Sequence, residues 1–143
     1  MKKIFFAFTF LLLIFWSSNA QKSFTVGFYN VENLFDTIDQ KQVNDAEYTP
    51  EGKLKWNSER YFTKLDHLSK VISELGNNNG PDVLGLAEVE NARVLKNLTE
   101  MPLLKTEGYN IVHYESPDER GIDVALLFKS KTIKLISSDK IRI

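Results

Sequence analysis

Two short stretches place oxygen-bearing side chains where a buried strand would be expected to end. FYNVENLF, Phe28 to Phe35, begins apolar and is then interrupted by Asn30, Glu32 and Asn33. GLAEVEN, Gly85 to Asn91, repeats the pattern with Glu88 and Glu90. Alternate residues of an extended strand share a face, which pairs Asn30 with Glu32 and Glu88 with Glu90. Carboxylate and amide oxygens of this kind are hard ligands that suit Mg²⁺, and equally Mn²⁺ or Ca²⁺. A cation held by them calls for an anionic partner, and a phosphate ester is the obvious one. The plainer explanation is that acids close many strands because the chain is reaching water. The spacing alone leaves both explanations open.

For the acids to meet, their strands must be parallel neighbours, since ligand sites in α/β sheets lie at the carboxyl ends of strands. The flanking sequence is compatible with that. SFTVGFYNV, Ser23 to Val31, is rich in β-branched and aromatic residues and reads as a strand covered on both faces. DVLGLAEVE, Asp82 to Glu90, reads as a second. Between them, Ser58 to Leu75 keeps Tyr61, Phe62, Leu65, Leu68, Val71, Ile72 and Leu75 on one side, the period of an amphipathic helix. Asn57 or Ser58 can cap its start and Gly76 can end it. The polar stretch Asp36 to Asn57 has no period and a Pro-Glu-Gly turn; it reads as a long loop, either functional or a surface excursion. A shorter helix runs from Asn91 to about Thr99. After Pro102, YNIVHYE, IDVALLFKS and TIKLISS read as three consecutive strands. This order predicts a mixed α/β layered fold.

Other residues able to do chemistry are ambiguous. Arg120, in the SPDERG loop, could grip a phosphate through two hydrogen bonds. It could as well pair with Asp118, Glu119 or Asp123 at the surface. His67 lies off the apolar stripe of its helix and is expected to face solvent. His113, between apolar neighbours in a strand, reads as a structural or edge histidine.

Composition sets the frame. The chain has 143 residues, a formal net charge of −1 and no cysteine. Length and hydrophobic content fit one globular domain. A near-neutral chain has no global field drawing it to nucleic acid, so anion binding must be local. Without cysteine there is neither a disulfide nor a lipid attachment site on the N-terminal segment. That segment has Lys2 and Lys3, an apolar run from Ile4 to Trp16, and Ser18 and Ala20 at small-residue positions. This is the layout of a secretory signal peptide over residues 1–20 with cleavage after Ala20, and it predicts a secreted or periplasmic protein. The run is shorter than the roughly 20 residues of a membrane-spanning helix.

FYNVENLF, then a helix, then GPDVLGLAEVEN, then SPDERGIDVALLF resembles the endonuclease/exonuclease/phosphatase superfamily, from about Thr25 onward. Deoxyribonuclease I, abasic-site endonucleases, neutral sphingomyelinases and inositol-polyphosphate 5-phosphatases are members. The wording is most similar to secreted members from Bacteroidetes-like bacteria. In that superfamily the first core strand carries Asn after Trp or Tyr, matched by Asn30. The next begins Pro-Asp and ends in a Glu that binds the divalent ion, matched by Glu88.

The resemblance implies a layered α/β-sandwich of the deoxyribonuclease I type and a Mg²⁺-dependent phosphoesterase. Glu88 would be a metal ligand, with Asn30 supporting the metal or a neighbouring carboxylate. Glu32 falls where some relatives place an aspartate near the metal, and Arg120 borders the mouth of the site. The family also uses a G-D-x-N and an S-D-H motif, and neither occurs here. Residues 21–143 are therefore expected to be the N-terminal part of such a domain, with the C-terminal half absent and the chain inactive alone. Its substrate would be a phosphate ester, nucleic acid included. The competing expectation is a secreted binding module that keeps the first sheet without the chemistry.

Overall fold

A computed structural model describes residues 23–141. The expected signal peptide lies outside the described residues. Four strands, β1 (Val26–Leu34), β2 (Val83–Val89), β3 (Tyr109–His113) and β4 (Asp123–Lys129), form one sheet in the order β1-β2-β4-β3. β1 and β2 are parallel, and β4 is antiparallel to both β2 and β3. The expected α/β architecture, a mixed sheet with helices, is what the chain adopts.

The crossover from β1 to β2 contains α1 (Ser58–Asn78), which runs past its expected end at Leu75. Asn57 caps it, the side-chain oxygen accepting from the Arg60 amide at 3.0 Å. The stripe buried against the sheet is Tyr61, Leu65, Leu68 and Ile72. Phe62, Val71 and Leu75, read from the sequence as part of that face, lie at its exposed margin instead. A single packed layer takes only the centre of a broad apolar stripe. α2 (Ala92–Thr99) adds Val94, Leu95 and Leu98, and α3 (Pro102–Lys105) adds Leu104. Opposite them stand Leu84, Leu86 and Val89 of β2 and Ala125 and Leu127 of β4.

The other face of the sheet is open. Along β1 its outward row is Val26, Phe28 and Asn30, and along β4 it is Val124 and Leu126. Val26 is 66% exposed, Phe28 72% and Val124 69%. A strand apolar on both faces is therefore covered on one only among the described residues.

The sequence expectation of a third consecutive strand, TIKLISS, is not met. Residues 133–141 have no regular structure, and Leu135 and Ile136 are exposed. A strand exists only through a neighbour's hydrogen-bond ladder. Among the described residues no ladder joins this segment to the edge strand β3; Tyr114, just after β3, donates its hydroxyl to the Ser138 carbonyl at 2.8 Å.

The long loop after β1 is tied down rather than free. It contains a short 3-10 turn, Ala46–Tyr48. Tyr48 stacks on Phe35 at 4.0 Å and meets Trp56 edge-on at 6.3 Å. The Trp56 indole donates to the Phe35 carbonyl at 3.0 Å. These aromatic contacts close the loop over the carboxyl end of β1.

Candidate functional site at the carboxyl ends of the first two strands

The parallel register of β1 and β2 brings Asn30 opposite Ala87, one residue before Glu88. Asn30 Nδ2 donates to Glu88 Oε1 at 2.9 Å. The Asn33 amide donates to Glu88 Oε2 at 3.1 Å. Both oxygens of one carboxylate are thus held from the neighbouring strand. Each keeps a second lone pair available.

The local backbone makes this possible. Glu32 (φ 54°), Asn33 (φ 60°) and Glu88 (φ 63°) all adopt the left-handed conformation. For residues with a Cβ this costs roughly 1–2 kcal/mol each, less for Asn. The ladder shifts register at the same level, between Asn30 and Leu34 on β1 and between Ala87 and Val89 on β2. Strain and broken register collected at one strand end are frequent at functional sites. Side-chain bonds offset it: Asn30 Oδ1 accepts from the Glu32 amide at 2.8 Å. Lys64 of α1 donates to the Glu32 carbonyl and, at 3.1 Å, to that of Asn33.

The bulge overturns the expectation that Glu88 and Glu90 share a face. Glu88 is half-buried at the strand end, whereas Glu90 is only 2% exposed. It turns under the loop after β1, accepting from the Asp36 amide and, at 2.7 Å, from Gln40 Nε2. Burial pushes its carboxyl up to about 7, and the nearby Asp36 and Asp45 charges add to the effect. Asp36 is also buried and is paired with Arg93 at 3.0 Å. Alternation fails at Glu88 because the extra residue there resets which side of the strand faces the core.

The other candidates fall around this centre. Glu32 is exposed, and only its backbone is bonded to the site. Arg120 is exposed and forks onto Asp118, with Nε to Oδ1 at 3.1 Å and Nη2 to Oδ2 at 2.8 Å. That bond and the Asp118 charge raise its pKa, with a smaller contribution from the charge of Glu88. Of the surface partners expected for Arg120, the structure shows Asp118. His67 is exposed on α1 beside a groove of about 550 Å³ that Trp56, Arg60 and Lys64 also line. Lys64 itself carries no signal in the sequence, where it is one polar helix position among several.

His113 is held rather than free. Its Nε2 lies 2.8 Å from Asp123 Oδ2, with both side chains buried. Asp123 Oδ1 accepts from the Ser116 amide at 2.7 Å, which anchors the loop carrying Arg120. Ligand atoms of His113, Glu115 and Asp123 lie within 4.8 Å of one another, a donor set of types that can hold a metal ion. Sequence spacing could not reveal this cluster, because it depends on the β3–β4 register that sets His113 against Ala125.

A cavity of about 740 Å³ lies between the loop after β1, the start of α2 and the loop after β3, lined by Gln40, Asn91, Arg93, Glu115, Ser116 and Glu119; Asn30, Glu88 and Arg120 do not line it. The Asn44 amide bridges the two loops, donating to the Glu119 carbonyl at 2.7 Å.

No curated protein and no solved structure matches the chain. A family model described as Endonuclease/Exonuclease/phosphatase family matches residues 25–143, the span from the start of β1 through Glu88 and the Arg120 loop. With its mixed sheet and its motifs at the strand ends, the chain belongs to the endonuclease/exonuclease/phosphatase family.

Proposed function

We propose that this chain carries the metal-holding part of a divalent-metal-dependent phosphoesterase, nuclease-like and exported. The observation that carries the reading is Glu88, a half-buried carboxylate with each oxygen fixed by one donor, from Asn30 and from the Asn33 amide. Its donor set fits Mg²⁺, which accepts one or two carboxylates and keeps several waters. Mn²⁺ and Ca²⁺ fit the same oxygens. Bound there, the ion would neutralise charge on a phosphate and its leaving oxygen.

The chain's own residues hold and orient. Glu88 would be the ligand and Asn30 would fix its direction. Glu32 would add its exposed carboxylate through water. Arg120 would grip a phosphate oxygen when it swings from Asp118, its partner in a surface ion pair that solvent screens. The substrate would be a phosphodiester or phosphomonoester, nucleic acid included. Activation of the attacking water is assigned, by resemblance, to a second sheet. The open face of Val26, Phe28, Val124 and Leu126 is the surface such a sheet would cover, and without it the chain would be inactive. That same open face favours a second reading, a secreted module that binds through it without turnover. The apolar run before Ala20 supports export, and N-terminal sequencing of the exported protein should begin at Gln21.

The test is Mg²⁺-dependent hydrolysis of plasmid DNA and of bis-p-nitrophenyl phosphate by the longest natural form of the protein, with Glu88→Ala beside it. Loss of turnover in Glu88→Ala, with the fold intact, supports the reading. Turnover that persists in Glu88→Ala would remove it, and binding without turnover in every form would favour the module.

A further inference from the structure

The end of β1 is held from a direction that the strand ladder does not supply. Glu32 and Asn33 are consecutive left-handed residues, and their carbonyls both turn toward α1. A single ammonium, that of Lys64, meets both. Lys64 is half-buried, and among the described residues its hydrogen bonds go to these main-chain oxygens rather than to a carboxylate. The same ammonium lies over the Trp56 ring, with Nζ 5.9 Å from the centroid. An ammonium has three donors and no acceptor, so two converging carbonyls are a natural load for it. On the far side of the same turn the Asn33 amide points at Glu88 Oε2.

We infer that Lys64 is a positioning residue for the Glu88 carboxylate: by gripping the Glu32 and Asn33 carbonyls it holds the left-handed turn that aims the Asn33 N–H at Glu88. The metal consequence rests on the role proposed for Glu88, whereas the backbone consequence does not. Groups that orient a metal ligand from behind typically change metal affinity about tenfold to a hundredfold when removed. Lys64 would belong to that class although it touches neither the ion nor the substrate.

The experiment uses Lys64→Met, which keeps an unbranched side chain of similar length and removes the ammonium. Amide hydrogen exchange is read at Asn33 and, as a control for global stability, at Leu86 in the middle of β2. Exchange at Asn33 should accelerate about tenfold or more, with Leu86 unchanged. Mn²⁺ affinity of the same variant should fall by about tenfold. The chain has no cysteine, so Lys64→Cys provides a unique thiol. Its aminoethylation rebuilds an ammonium of nearly the same length and should restore both readouts.

Several outcomes overturn the inference. They are parental exchange at Asn33, equal acceleration at Leu86, failure of aminoethylation to restore, or tighter Mn²⁺ binding in Lys64→Met. Mn²⁺ binding that is unchanged in Glu88→Ala instead removes the metal reading of Glu88. The exchange at Asn33 then still decides whether Lys64 holds the turn.

Discussion

Asn30 and Glu88 meet side chain to side chain at 2.9 Å across two parallel strands, although 58 positions separate them in the chain. The contact lies at the surface end of the sheet, where one solvent-exposed hydrogen bond to a carboxylate adds only about 1 kcal/mol to stability. Its value is directional. Asn30→Ala should lower Mn²⁺ affinity about tenfold while shifting the thermal midpoint by a few degrees at most. Titration calorimetry beside a thermal melt separates the two effects. Unchanged affinity would mean that Asn30 does not orient a ligand.

Glu90 should give the fold an unusual pH dependence. Its carboxyl is pushed up to about 7 by burial, against 4.5 for the free group. Between these values the unfolded chain has released the proton and the folded chain retains it. Folding is therefore opposed progressively as pH rises from about 4.5 to about 7, and acidification over that window restores stability. The slope is on the order of 1 kcal/mol per pH unit. Urea unfolding in EDTA at pH 5, 6, 7 and 8 should show Glu90→Gln gaining on the parent as pH rises. Parallel profiles would show that Glu90 does not titrate differently on folding.

The buried pair of His113 and Asp123 fixes the loop that bears Arg120. Removing one partner strands a polar group in the interior, which costs more than the bond itself contributes. Asp123→Ala should destabilise the chain by about 3 kcal/mol, since it frees both His113 and the Ser116 amide. His113→Ala should add little in the Asp123→Ala background, because the two share one interaction. Additive losses in the double variant would show that the pair does not act as a unit.

The open sheet face should bind apolar probes. Phe28→Ser with Val124→Thr removes the centre of the patch, and neither side chain is buried. In the chain alone the stability change should stay within about 1 kcal/mol, while dye fluorescence and light scattering fall. If a longer natural form covers this face with a second layer, the same pair should destabilise that form by several kcal/mol. Equal, small effects in both forms would mean that nothing packs there.

Much of this protein was legible one residue at a time. The apolar period of α1, its cap at Asn57 and the cap of α2 at Asn91 are local signals, because helical bonds and caps join residues a turn apart. The first two strands announced themselves through β-branched and aromatic content, and Asn30 and Glu88 through polar groups placed where apolar ones should continue. The sequence could also say that a carboxylate and an amide would meet if those strands were parallel neighbours. The tertiary structure decided the rest. Whether TIKLISS forms a strand depends on whether an edge strand pairs with it, and Phe62 and Val71 depend on how wide a helix face the sheet can cover. The bulge at Glu88, with its left-handed backbone, turned Glu90 inward and Glu88 to the strand end, an outcome that strict alternation forbids. Lys64 and the His113–Asp123 pair are invisible in the chain for the same reason. Their partners are supplied by packing and register, which fix neighbours far apart in sequence and leave no mark at either position.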